Sequence, residues 1–216
     1  MLKKIILVFT IFGLIVWTLS SNSLAKLPGE GITLSPPLKE MTINPGETVS
    51  QKIKLTNPTN SLVEFYPLVM NFRAKGEGGE PDFYPASAES AKFSLANWIK
   101  FSPAKVVLTS EQEVEWEYQI SVPEGAEPGG YYGVVFFASE PPKPDQEVTQ
   151  VALATMIGCL HLVRVPGDII EKAELKEFSS KKFYFKPPVD FLIRISNLGN
   201  IHFKPEGEIA IKNWRG

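Results

Sequence analysis

Few residues in this chain have the chemistry of a reactive site. The sequence holds one cysteine, Cys159, and two histidines, His161 and His202. Nucleophilic catalysis needs a hydroxyl or thiol beside a base, with a third group orienting that base. Cys159 and His161 are two apart in an apolar, strand-like stretch, so both point to one face. A free cysteine in such a stretch packs as a small hydrophobe, and no motif supplies an orienting group. Two histidines and one cysteine cannot close a zinc site without carboxylates. Glu113, Glu115 and Glu117 share a face of one straight strand, where carboxylates diverge from a single ion, so they read as a solvated face rather than a calcium site. Glu77 to Asp82 lacks the alternating ligand spacing of a calcium loop, and Gly76, Gly78 and Gly79 precede no helix that would cradle a phosphate. No catalytic residue, metal ligand or cofactor is assigned. The expectation is a protein that is not an enzyme, an exported hydrolase being a distant third reading.

The elements that carry these residues are strands. From Gln112 to Val122, Val114, Trp116, Tyr118, Ile120 and Val122 alternate with Glu113, Glu115, Glu117, Gln119 and Ser121. Successive side chains of a strand face opposite ways, so this is one buried and one solvated face. A slip of one residue would bury three glutamates, which fixes the register. Turn signals punctuate the chain at short intervals, among them Asn44-Pro45-Gly46, Asn57-Pro58-Thr59-Asn60, Ser102-Pro103 and Pro128-Gly129-Gly130. The strands expected are Gly31–Ser35, Lys39–Ile43, Thr48–Thr56, Leu62–Phe72, Trp98–Phe101, Lys105–Leu108, Glu113–Val122, Tyr131–Ser139 and Thr149–Val165. Tyr131 to Ala138 is apolar on both faces and is expected to be a central strand, covered on its second side too. Gly158 is expected to mark a bulge or bend in the last and longest strand. No helix of any length is expected, only a short turn within Ala86 to Leu95.

Pro166-Gly167 interrupts the pattern, after which Ile169–Glu177, Phe183–Phe185, Val189–Ser196 and Glu208–Lys212 read as further strands. Many short strands with Pro- and Gly-rich turns indicate an all-β, immunoglobulin-like antiparallel β-sandwich. The division expected is a signal peptide over 1–25, a sandwich over 27–166 and the first strands of a second, incomplete β-sandwich domain over 168–216. Four strands in so few residues do not close a sandwich, so either another chain completes it or the sequence is a fragment, and a fragment is the expectation.

The beginning of the chain indicates export. Lys3 and Lys4 precede an uncharged, largely apolar run from Ile5 to Leu19, and Ser23-Leu24-Ala25 forms a small-residue cleavage site, so cleavage is expected after Ala25. The run is shorter than the roughly 20 residues a membrane span needs. No cysteine stands at the cleavage point to take a lipid. A lone cysteine in an exported chain makes no internal disulfide, so packing and ladder hydrogen bonds must hold the fold. Hydrophobic residues are 44% and charged residues 21% of the sequence, a globular balance. The net charge is −2 and no basic cluster stands out, which argues against nucleic acid as a partner.

Five segments together resemble the peptidoglycan-binding domain of WxL-interacting proteins, cell-surface proteins of Gram-positive-type bacteria. They are Ile32 to Thr48, Lys54 to Asn60, Asn71 to Phe83, Trp98 to Leu108 and Val122 to Phe137, the last with its Pro-Gly-Gly-Tyr-Tyr-Gly entry to a hydrophobic strand. Ile195 to Gly216 looks like the start of the second immunoglobulin-like domain of such proteins. The resemblance implies a non-catalytic protein at the cell surface or outside the cell, attached to cell-wall peptidoglycan or to other surface proteins. It also implies a C-terminal membrane anchor, so membrane contact is expected only through the signal segment or through such an anchor, which is absent from this chain. Phe83, Tyr84 and Trp98 lie in or beside a long loop, where flat side chains can stack on sugar rings, and are the candidates for a glycan contact. The alternative for Trp98 is a core anchor, with the loop aromatics covering the end of the sandwich. The rival function is a periplasmic chaperone of the pilus-assembly type, which binds its client by strand addition and for which Thr149 to Val165 would serve.

Overall fold

A computed structural model describes residues 32–86, 93–141, 156–181 and 184–211. The signal segment and its cleavage site lie outside the described residues, as do Gly31, Thr149 to Thr155, Phe183 and Lys212 from the expected strands. Among the described residues, ten strands build the sandwich: β1 (Thr33–Ser35), β2 (Leu38–Thr42), β3 (Thr48–Thr56), β4 (Val63–Lys75), β5 (Glu80–Tyr84), β6 (Ile99–Phe101), β7 (Val106–Leu108), β8 (Glu113–Ser121), β9 (Gly129–Ala138) and β10 (Met156–Val165). They form two sheets, one ordered β1-β3-β8-β6 and one ordered β2-β10-β9-β4-β5 with β7 also on β4. Every pairing is antiparallel except that of β2 with β10, which is parallel. The first stretch of chain thus serves both sheets, crossing between them at Pro36-Pro37, where proline cannot donate to a ladder. This is an immunoglobulin-like β-sandwich.

Alternation decides which side chains meet between the sheets. Trp116, Tyr118 and Ile120 of β8 are buried, as are Ile53 and Leu55 of β3, opposite Trp116 and Val114. Facing them are Val135 and Phe137 of β9 with Cys159, His161 and Val163 of β10. The acidic face of β8 turns outward and is matched by lysines of β3: Lys52 reaches Glu115 at 2.9 Å and Glu117 at 3.0 Å, and Lys54 reaches Glu113 at 2.8 Å. Hydrogen bonds donated to both glutamates hold the Lys52 ammonium well above its usual range.

β9 lies between β10 and β4, the central position its composition requires. Its outer face, with Val134 and Phe136, forms a second apolar layer with Met70 of β4, flanked by Leu68, Phe72, Phe83 and Leu160. β9 is therefore covered on both sides, as its sequence implies.

Several boundaries differ from the sequence reading. The segment after β4 continues as a hairpin, so β4 runs on to Lys75 and β5 occupies what reads as loop. Trp98 ends a 3-10 turn, Leu95–Trp98, rather than opening a strand. Gly158 makes no bulge: the β9–β10 register is unbroken, pairing Gly158 with Phe136, whose ring occupies the space a side chain would need. In the C-terminal part, β11 (Ala173–Ser180) and β12 (Phe191–Asn197) make a two-stranded antiparallel sheet. β11 begins later than expected, because Ile169 to Lys172 form a connection instead, and neither Tyr184-Phe185 nor residues 208–211 are strand.

Trp116 generates a test of this register. Its ring stacks on Tyr118 and meets Phe101 and Phe137, while its indole N–H finds no hydrogen-bond partner among the described residues. Trp116→Ala should lower stability by about 3–5 kcal/mol through lost burial and the cavity left. Trp116→Phe should cost clearly less, since it keeps an aromatic ring and removes a donor that is buried unpaired. Glu115→Ala, one position along but exposed, should leave the urea midpoint almost unchanged. Equal shifts for Trp116→Ala and Glu115→Ala would contradict the register.

Candidate functional site

The three aromatic candidates do not form one site. Phe83 and Tyr84 are successive residues of β5 rather than loop residues, so their side chains leave the sheet on opposite faces. Phe83 pairs across from Phe72 and joins the outer layer, with ring centroids 6.2 Å from Phe72 and 4.9 Å from Phe136. Tyr84 pairs across from Asn71 on the other face, and its ring lies under the Arg73 guanidinium at 5.6 Å. Arg73 in turn binds Asp82 at 2.9 Å. Trp98 is buried and packs on Tyr131 with ring centroids 4.2 Å apart, so it is a core anchor and not a sugar platform.

What remains at the surface is an aromatic patch on the outer face of the larger sheet. Phe72, Phe83 and Tyr132 are each half-buried there, with Phe72 and Tyr132 centroids 5.9 Å apart. Only the alternation of β4, β5 and β9 brings them together. Phe72 and Tyr132 carry no mark in the sequence beyond sitting in apolar strands, and β5 has to be recognised as a strand before Phe83 can be placed.

The Cys159 and His161 pair resolves into packing. Both side chains are fully buried and face the opposing sheet. His161 Nδ1 donates to the Cys159 carbonyl at 2.9 Å, which leaves Nε2 to accept the short hydrogen bond from the Tyr118 hydroxyl. Neither ring nitrogen is then available to take a proton from the thiol. Burial pushes the Cys159 thiol up to about 11, so at neutral pH it is not a nucleophile. Burial also lowers His161 to about 4, keeping the imidazole neutral. His202 lies elsewhere, its backbone N–H donating to the Tyr132 hydroxyl at 2.8 Å.

Two asparagines are buried, Asn57 in a motif that reads as a turn and Asn71 within β4. Asn57 donates to the carbonyls of Ser61, Leu108 and Thr109 and accepts from the Thr59 N–H, closing a corner between two loops. Asn71 donates to the Ser94 hydroxyl at 2.8 Å and accepts from the Ala96 N–H at 2.9 Å, fixing the 3-10 turn against β4. Their polar groups are spent on the fold. A cleft of about 1080 Å3 lies between the β4–β5 turn and β12. Arg194, which lines it, is already bound to Glu77 at 3.0 Å and Glu177 at 2.8 Å.

The buried imidazole makes stability depend on pH. His161 titrates near 4 when folded against 6.5 ordinarily, so the unfolded chain takes up its proton first as pH falls. The contribution is complete above pH 6.5 and is lost progressively down to about pH 4. Between pH 7 and pH 5 the loss should be about 2 kcal/mol. Urea midpoints of the parent should fall across that interval, and those of His161→Leu should fall much less. Equal slopes would show that His161 is not buried neutral.

No family model matches the sequence, and no curated protein does. Among solved structures, the PapD-like domain of human CEP192 is similar at 14% identity, covering 65% of this chain and 89% of that one, with a TM-score of 0.41. The class 5 fimbriae chaperone CfaA is similar at 13% identity, covering 79% and 68% of the two chains, with a TM-score of 0.45. A third is a pre-assembly complex of CsuC and CsuE from the archaic chaperone-usher Csu pili of Acinetobacter baumannii, at 11% identity over 78% and 89%, with a TM-score of 0.42. These identities and TM-scores assign no ligand, partner or site residue to this chain.

Proposed function

We propose that this chain is an exported, non-catalytic surface-binding protein whose first sandwich attaches to cell-wall peptidoglycan. The observation that carries the reading is the half-buried aromatic patch of Phe72, Phe83 and Tyr132, together with the resemblance, whose five segments all fall within this one sandwich. Half-buried rings held in a sheet suit stacking against sugar, at little cost in ordering. The rival reading, client binding by strand addition, requires an open edge on the last long strand. β2 already pairs with Leu160 to Arg164 of β10, and the Leu160 N–H donates to the Pro37 carbonyl. That occupancy counts against strand addition through Leu160 to Arg164, while Thr149 to Thr155 lie outside the described residues.

The exported chain should co-sediment with purified peptidoglycan sacculi. Attraction based on stacking and hydrogen bonds should persist at moderate salt, where adsorption between exposed charges fades. Phe83→Leu removes the flat ring yet keeps apolar cover over Phe136, so it should weaken sedimentation with little change in melting temperature. Tyr84→Ala, on the other face of the same strand, should sediment like the parent. If the chain stays in the supernatant at every salt concentration, the reading is wrong. Loss of binding in Tyr84→Ala but not in Phe83→Leu would move the contact to the opposite face.

A further inference from the structure

β9 loses its neighbour at one end. Its last pair with β4 is Gly133 with Asn71, although its pairing with β10 continues down to Gly129. Along the vacated edge runs the segment that follows β12. The Gly130 N–H donates to the Asn200 carbonyl at 2.9 Å, and the His202 N–H donates to the Tyr132 hydroxyl at 2.8 Å. Ile201 between them is buried.

Asn200 is bonded through every polar group it has. Its N–H donates to the Ile170 carbonyl at 3.1 Å, and its Oδ1 accepts from the Ile170 N–H at 2.9 Å. Its Nδ2 donates to the Pro128 carbonyl at 3.3 Å. One residue thus ties the connection between β10 and β11 to the entry of β9. On either side, the Leu198 N–H donates to the Lys172 carbonyl at 2.7 Å, and Lys204 pairs with Glu40 of β2 at 2.7 Å.

The close approach demands glycine. A Cβ on Gly199 would stand 2.0 Å from the Ile170 carbonyl oxygen. At Gly129, φ is +147° and a Cβ would lie 3.2 Å from the Asn200 carbonyl oxygen. Neither position admits a side chain without moving backbone.

We infer that residues 198–204 form a strap that locks the β11–β12 hairpin to the first sandwich, so that the protein presents its C-terminal part at one set orientation. Motion about a linker is the ordinary expectation where few bonds cross a boundary. Here both backbone groups of Ile170 are taken by Asn200, and opening the joint must break several hydrogen bonds together. The Pro-Gly-Gly-Tyr-Tyr-Gly entry of β9 is on this account half of a joint, the other half being Asn197 to His202. The joint shares Tyr132 with the aromatic patch, but the inference does not depend on what the sandwich binds.

The test uses the full exported chain with spin labels on Lys100→Cys of β6 and Ser179→Cys of β11, leaving buried Cys159 in place. Electron–electron resonance should give one narrow distance distribution for the parent. Asn200→Ala should broaden it, and Gly199→Ala should broaden it by about twofold or more, while the tryptophan-detected melting of the sandwich stays close to the parent's. Tryptic cutting after Lys172 should quicken by about tenfold in Asn200→Ala, which loses two of the crossing bonds. If Gly199→Ala does not fold, Asn200→Ala alone decides. A distribution as broad in the parent as in the variants, or variants as narrow and as resistant as the parent, would overturn the strap.

Discussion

The constraint on which the rest of the structure depends is the double burial of β9. A strand apolar on both faces cannot lie at an edge or face water on one side. Its inner face supplies Tyr131, Val135 and Phe137 to the main core, and its outer face supplies Val134 and Phe136 to the second layer. Each requirement places a neighbour. β10 and β4 flank it, β8 faces it through Trp116, and Met70, Phe72 and Phe83 cover its outside. The aromatic patch on which the proposed function rests is thus the solvent-facing rim of a layer that exists first to cover β9.

Buried polar groups supply specificity to a fold with no disulfide. His161 with Tyr118 bridges the two sheets, Asn57 ties two loop corners, and Asn71 ties a 3-10 turn to β4. Each is satisfied, so burial costs little, and each would be expensive to leave half-paired. The outward faces follow a different rule. The lysines of β3 and glutamates of β8 are exposed, and they keep that sheet face wet rather than adding much stability.

Much of this is legible in the residues, for a physical reason. Period-two alternation is strong wherever one face is buried and the other charged, and β3 and β8 are read from it to within a residue. β5 is not, because Glu80-Pro81-Asp82 carries turn residues in an edge strand, where proline and charge are tolerated. That one misreading groups Phe83 with Tyr84, which the strand then sends to opposite faces. The reading of Cys159 as a core residue needs only the apolar stretch around it. Its histidine's partner, Tyr118, comes from the other sheet and leaves no local trace. The role of Gly129 is equally hidden, since the atom that excludes a side chain there belongs to Asn200. Contacts between distant segments are what a linear pattern does not encode.

Native-state hydrogen exchange tests the central claim most directly. If β9 is the doubly covered strand on which both layers depend, the amides of Val134, Val135, Phe136 and Phe137 should exchange only through global unfolding, with free energies equal to the value from urea denaturation. The amides of β5 and of the β11–β12 hairpin should open at lower cost. Exchange in β9 through openings smaller than global unfolding, while β3 and β8 stay protected, would contradict the account.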